Sequence, residues 1–163
     1  MKFLAGLLVC STLLFAQTQK LVIDAEQFEA SDNKGISSFT GNVKIKMGKD
    51  KLNANKVDIY FVSQKGTNVK TPSKYIATGN VDFELVTKLK HYIGKGNKII
   101  YSPSKQEYTV IGNGFLQEKN DNRKIYGDKI YVNQLTGEAR VSGSEDKPVR
   151  FIINIQQGQE GKK

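Results

Sequence analysis

The stretch IATGNVDFEL, residues 76–85, runs an apolar alternation through a Gly-Asn pair. Val81, Phe83 and Leu85 fall on one parity and Asp82 and Glu84 on the other, which is the two-residue period of a half-buried strand. The same centre returns in FTGNVKIKM, residues 39–47, and in altered form in VIGNGFLQ, residues 110–117. A phrase written three times in one small chain implies a structural unit that is itself repeated.

Working outward from that phrase, two half-phrases alternate. The first is a small residue, then an amide or charged residue, then apolar alternation: AEQFEA (25–30), ANKVDIY (54–60), GNKIIY (96–101) and GDKIYV (127–132). The second is apolar-x-Gly: Phe39-Thr40-Gly41, Ala77-Thr78-Gly79, Val110-Ile111-Gly112 and Val141-Ser142-Gly143. Turn-forming clusters separate them at 32–35, 102–105 and 133–137. In three copies the glycine follows the small residue at the same distance. The copy at 54–79 is longer, and its excess coincides with SQKGTNVKTPSK, residues 63–74, expected as a loop that interrupts the alternation.

Helical periodicity is almost absent after Lys20. The expected fold is therefore all-β, built from four hairpin-like units of about 30–40 residues. Each unit alone has one apolar face and nothing to cover it, so the units must stack. Gly41, Gly79 and Gly112 share parity with that face. Glycine inside a strand marks a bulge or bend, so three at one repeat position predict a shared bend and a sheet folded over on itself.

Parity selects the residues of the apolar face. They are Phe39, Val43, Ile45 and Met47, then Val57, Ile59 and Phe61, then Val81, Phe83 and Leu85. Ile99, Val110, Phe115, Ile130, Val132, Val141 and Phe151 complete the set. Such a face is either a packed core or the wall of a ligand groove, and periodicity does not separate the two. The stack leaves two open ends. Their edge residues are Leu21, Val22 and Ile23 at the start, and Val149, Phe151, Ile153 and Ile155 at the end.

The first sixteen residues read as an export leader: Lys2, an apolar run over residues 4–15, and Ala16 as a small residue for cleavage. The run is shorter than the roughly 20 residues that span a bilayer. Cys10 falls inside this leader, with Val9 before it where a lipoprotein signal wants a small residue. Cleavage after Ala16 leaves a chain with no cysteine, so neither disulfides nor thiol chemistry are expected. The expected organisation is a leader at 1–16, one domain at 17–155 and a disordered tail at 156–163.

The chain carries 25 basic and 16 acidic residues, a formal net charge of +9. Export argues against nucleic acid as the partner and leaves anionic lipid, phosphorylated glycan or an acidic protein surface. The excess lysine can equally serve only to keep an edge-rich β protein soluble. No catalytic constellation stands out. His91 is the one histidine, and Asp24 and Glu26 have no histidine beside them in the sequence. No metal-ligand cluster and no cofactor fingerprint is present; GKGNKI, residues 94–99, lacks both the final glycine and the following helix of a dinucleotide site. The expectation is a non-enzymatic protein without cofactor or metal.

The ordered phrases at 24–30, 39–45, 54–61, 76–83, 96–114 and 126–143 together resemble the OstA-like lipopolysaccharide-transport family, and most closely its soluble periplasmic bridge members. The resemblance covers nearly the whole mature chain. It implies an open, twisted β-jelly roll in the periplasm that binds the lipid A acyl chains of lipopolysaccharide along the apolar face just named. It further implies head-to-tail self-association through the end strands, with an LptC-like inner-membrane protein and an LptD-like outer-membrane protein as partners. Two other readings stand beside it. One is a self-associating structural β protein of the envelope without cargo. The other is a polysaccharide-binding module that would depend on tyrosines such as Tyr60 and Tyr131.

Overall fold

A computed structural model of the chain describes residues 20–86 and 90–155. The leader, its cleavage position and the tail at 156–163 lie outside the described residues. Among these, ten strands form one antiparallel sheet: β1 (Leu21–Asp24), β2 (Gln27–Ser31), β3 (Ile36–Met47), β4 (Asp50–Ser63), β5 (Lys70–Val86), β6 (His91–Ser102), β7 (Glu107–Glu118), β8 (Arg123–Asn133), β9 (Ala139–Ser142) and β10 (Arg150–Ile152). The six long strands β3 to β8 are neighbours in chain order. At one end β1 and β2 both pair with β3. At the other end β9 and β10 both pair with β8.

The recurring Gly-Asn pair is the hinge of this sheet. Gly41 and Asn42 have φ of 86° and 44°, Gly79 and Asn80 81° and 46°, and Gly112 and Asn113 75° and 49°. Two successive left-handed residues are tolerable here because glycine has no β-carbon and asparagine is among the few residues that visit this region readily. At each pair the register slips by one residue against both neighbouring strands: between Thr40 and Val43, between Thr78 and Val81, and between Ile111 and Gly114. Each is a β-bulge, which bends its strand and tightens the local twist. They occupy β3, β5 and β7, every second strand, and so line up across the sheet.

The partner of each bulge is the second residue of the other half-phrase. A β-carbon at Gly79 would sit 2.7 Å from Asn55 Nδ2, and one at Gly112 would sit 2.6 Å from Asn97 Nδ2. At Gly41 the place is taken by the Glu26 side chain, and the Glu26 amide donates to the Gly41 carbonyl at 3.1 Å. The two half-phrases therefore recur together because an amide or carboxylate side chain fills the space that each glycine vacates. The fourth glycine, Gly143, instead follows the end of β9, where the chain leaves the sheet.

The line of bulges divides the sheet into two half-sheets that share the long strands. One half uses β2 and β9 as its edges, and the other uses β1 and β10. Cross-strand registers join each into apolar rows. In the first half a row runs Phe28, Phe39, Val57, Ala77, Ile99, Val110, Ile130, Val141 over eight strands. In the second it runs Ile23, Ile45, Leu52, Phe83, Gly94, Leu116, Ile125, Phe151. The inner faces of the halves close on each other. Val43 and Val81 from one and Val57 and Ile130 from the other are fully buried in a single cluster. Each such side chain contributes about 1.5–3 kcal/mol of burial.

One expectation about the strands needs correction. Half of the stretch at 63–74 is strand: Phe61, Val62 and Ser63 pair with Pro72, Thr71 and Lys70, leaving a loop of residues 64–69 at the tip of a long hairpin. Extending both strands satisfies their backbone groups in the ladder, which a twelve-residue loop would have left to water. In the first repeat the chain crosses at residues 25–26 from β1 in one half-sheet to β2 in the other.

The bulge geometry predicts that Gly79→Val destabilises the fold by about 2 kcal/mol or more, from the left-handed backbone and the collision with Asn55. Asn80→Gly should stay within about 0.5 kcal/mol of the parent. Urea unfolding of the two variants checks this, and equal midpoints would remove the bulge from its central role.

Candidate functional site

A cleft of about 260 Å³ opens between the two half-sheets on the side of β1. One wall comes from the second half: Leu21 on β1, Ile45 and Met47 on β3, Leu52 on β4, and Phe83 and Leu85 on β5. The other comes from the first half: Val57, Tyr75, Ala77, Ile99, Tyr101 and Tyr108, with Pro103 beside them. Asp50 and Lys51, both at the start of β4, are the charged residues in the lining. The walls are otherwise aliphatic carbon and rings, the composition that recognises apolar matter.

Farther from β1 the same inner face is filled. A β-carbon at Gly94 would overlap the Phe83 ring, one at Gly96 the Val110 side chain, and one at Gly127 the Val141 side chain. Large side chains thus lie across strand positions that have none of their own. On the β7–β8 side the wall behaves as a packed core, with Val110 and Ile130 buried.

Tyr75, Tyr101 and Tyr108 are cross-strand neighbours on β5, β6 and β7. The ring centroids lie 5.9 Å apart for Tyr75–Tyr101 and 4.3 Å for the stacked Tyr101–Tyr108 pair. Burial pushes the Tyr75 phenol above its ordinary value, with the neighbouring Tyr101 adding to the effect. Burial pushes Tyr108 up much further, aided by the charge and hydrogen bond of Tyr101 and by the carboxylate of Asp50. The ladder is a neutral, half-polar floor beside greasy walls.

The parity assignments meet the structure as follows. Ile45, Met47, Val57, Phe83, Leu85 and Ile99 line the cleft. Val43, Ile59, Val81, Val110 and Ile130 are buried in the core, and Phe39, Phe61, Val132 and Val141 pack against it. Phe115 is on the other face. Its neighbours in the cross-strand row are Lys95 and Tyr126, and its ring meets that of Tyr126 at 5.0 Å. The inner position belongs to Leu116, which packs on the core. Counting from the bulge, Leu116 on β7 stands where Ile45 and Phe83 stand on β3 and β5, so strict alignment of the repeats selects it over Phe115. The same alignment places Phe28 with Val57, Ile99 and Ile130. Phe28 is 60% exposed on β2 and its ring lies 4.9 Å from that of Phe39. Tyr75, Tyr101 and Tyr108 share the inner face with the residues that line the cleft but are not among those selected by parity.

The edges carry apolar surface. Leu21 and Ile23 pair with Met47 and Ile45 on the inner face, while Val22 pairs with Lys46 on the outer one. At the far end Phe151 pairs with Ile125 and is 55% exposed. Val149, Ile153 and Ile155 are exposed beside it but lie outside β10. His91 opens β6, and its Nε2 lies 2.6 Å from Glu84 Oε1. It faces away from Leu85, since Tyr92 takes the position opposite Leu85 and His91 the one opposite Val86. The His91 hydrogen bond holds the Glu84 carboxyl below its ordinary range against the effect of desolvation, with Lys51 assisting. Tyr60 and Tyr131 lie on outer positions. Lys74 stands over the Tyr60 ring and Arg140 over that of Tyr131, whose hydroxyl bonds Glu107 at 3.0 Å.

The raised tyrosines give a signed expectation. Their stabilising protonation is fully present below the unfolded value of about pH 10 and is lost as pH climbs above it. Alkaline titration of phenolate absorbance should show at least two of the seven tyrosines ionising only with unfolding. A Tyr75→Phe, Tyr108→Phe double variant should abolish that late phase. A single native phase for all seven would contradict the buried ladder.

The family model described as LptA/(LptD N-terminal domain) LPS transport protein matches residues 22–138. The lipopolysaccharide export system protein LptA of Escherichia coli K12 is 27% identical over 150 residues, which cover 90% of this chain and 78% of that protein. LptA of Shigella flexneri is similar to the same extent. Among solved structures, LptH of Pseudomonas aeruginosa, the LptA-homologous periplasmic component of the lipopolysaccharide transport device, aligns with a TM-score of 0.70 at 16% identity. The alignment covers 84% of this chain and 96% of LptH. At that identity the likeness bears on the fold, and it agrees with the open β-jelly roll.

Proposed function

The chain belongs to the family of LptA and the LptD N-terminal domain, proteins of lipopolysaccharide transport, and on that premise we propose that it is a periplasmic bridge that shields lipopolysaccharide acyl chains in the cleft between its half-sheets. The observation that carries this reading is the cleft itself, walled on both sides by apolar rows and open beside a strand edge. Each methylene exposed to water costs about 0.8 kcal/mol, so an acyl chain of about a dozen carbons costs on the order of 10 kcal/mol in an aqueous gap. A wall of Leu52, Phe83, Leu85 and Ile99 removes that cost without any covalent step. The role is non-enzymatic: binding and release suffice.

The cleft, at about 260 Å³, lies just below the roughly 300–1,000 Å³ of ordinary ligand pockets. It takes part of one acyl chain. A lipid with several chains requires the half-sheets to part about the line of bulges, where each odd strand already carries a bend. Cleft lining by Ile45, Met47, Val57, Phe83, Leu85 and Ile99 is the first contact, and the buried members of the set are reached only on opening.

The two edges are the joints. β1 and β2 at one end and β9 and β10 at the other present unpaired backbone, and an unpaired edge templates another strand. Docking the end of one copy on the start of the next sets Phe151 beside Ile23 and Val141 beside Phe28, so both apolar rows continue across the junction. The same edges suit an LptC-like protein on the inner-membrane side and an LptD-like protein on the outer-membrane side. The alternative of an envelope protein without cargo draws support from the filled wall near β7 and β8.

A photo-reactive amino acid at Phe83 should crosslink to lipopolysaccharide in cells, and the same probe at the outward Phe115 should not. Equal labelling, or protein adducts alone at both positions, favours the cargo-free alternative. Phe151→Asp should leave monomer stability within about 0.5 kcal/mol and shorten the oligomers seen by light scattering. Oligomers of unchanged length would take the joint away from β10.

A further inference from the structure

The outer face near the C-terminal end carries a feature that an acyl-chain carrier does not use. Lys95, Phe115, Tyr126 and Arg150 form one cross-strand row over β6, β7, β8 and β10. Two aromatic rings, 5.0 Å apart, are thus bracketed by two cations, and Tyr126 is 39% exposed. Beside the Tyr126 ring lies a second cleft of about 190 Å³, lined by Asn113, Gly114, Gly127, Asp128, Lys147 and Pro148. Its roof is the strap of residues 143–149 that carries the chain from β9 to β10. The strap is held in place: Ser144 and Lys147 exchange backbone hydrogen bonds of 2.9 and 3.2 Å, and Lys147 Nζ donates to Asn113 Oδ1 at 3.0 Å. Asn113 is the left-handed residue of the third bulge.

We propose that this cleft and the adjoining row form a binding site for an anionic saccharide unit. The assignment follows from the groups present. A sugar ring offers a face of C–H bonds that lies flat on an exposed aromatic ring such as Tyr126. Its hydroxyls need acceptors and donors held at the ring edge, which Asp128, Asn113 and Lys147 provide. A carboxylate or phosphate on the sugar finds Lys95 and Arg150 on either side of the aromatic pair. The nearby acids are Asp128 in the cleft, Glu145 and Asp146 in the strap, and Asp82 opposite Lys95 on β5, so the ligand's negative charge is placed nearest Arg150. The site faces away from the one that holds acyl chains. Two sources share this chemistry: the phosphorylated sugars of lipopolysaccharide and the muramic-acid glycan of the cell wall.

The test uses the mature protein with three soluble probes: the phosphorylated oligosaccharide of deacylated lipopolysaccharide, the N-acetylglucosaminyl–N-acetylmuramic acid disaccharide, and neutral maltotriose. Amide NMR signals at 113–115, 126–128 and 147 should move with one or both anionic probes at millimolar concentration and not with maltotriose. Tyr126→Ala and Lys147→Ala should each weaken binding about tenfold without changing the thermal midpoint by more than a few degrees. Response to only one anionic probe identifies the source. Absence of response to both, an equal response to maltotriose, or unchanged binding by Tyr126→Ala overturns the site. The Phe83 crosslink to lipopolysaccharide, repeated in the Tyr126→Ala protein, separates the two readings: it should persist, because it depends on the inner cleft alone.

Discussion

The architecture rests on one backbone constraint: two consecutive left-handed residues in every second long strand. A sheet of six strands as long as β3 to β8 would otherwise be a twisted ribbon with one face bare. The Gly-Asn pairs let the odd strands take an extra residue, and their alignment turns three local bulges into a single line of bending. Glu26, Asn55 and Asn97 occupy the space above the glycines, so the bend and its filling are specified together. The buried apolar cluster is arranged about that line.

A folded sheet of this kind has a graded interior. Toward β7 and β8, glycines at 94, 96 and 127 admit large side chains from neighbouring strands and the wall is filled. Toward β1 a cleft remains between the halves, bordered by the start of β4, the stacked tyrosines and Phe83. The same sheet is therefore core at one end and receptacle at the other. A carrier needs both, since a wall that was open throughout would lack the burial that keeps the sheet folded.

The polar groups divide by face in the same way. Outer cross-strand bonds such as Ser38 to Asp58 at 2.6 Å and Asn53 to Asp82 at 2.9 Å tie the ladder from the wet side. Aromatic pairs there, Phe115 with Tyr126, are surface features and not core. The basic excess is spread over outer rows, and the inner cleft holds only Lys51 among its cations. Charge thus governs what the outside meets, and area governs what the inside takes up.

Much of this was legible in the chain alone. Period-two alternation, repeated half-phrases and glycines at one repeat position determined the all-β class, the stack of hairpins, the shared bend and most of the inner face, because side-chain parity in a strand is a property of local geometry. The same signals misplaced Phe115 and passed over Leu116 and Phe28: Leu116 keeps the inner parity of Val110 on β7, whereas Phe115, although large and apolar, falls on the other parity, and apolarity alone does not separate the two. Only the tertiary structure decided which inner residues meet across the fold and which are left lining open space. That depends on how side chains from the two halves interlock at a distance, and no local pattern encodes the volume that remains between them.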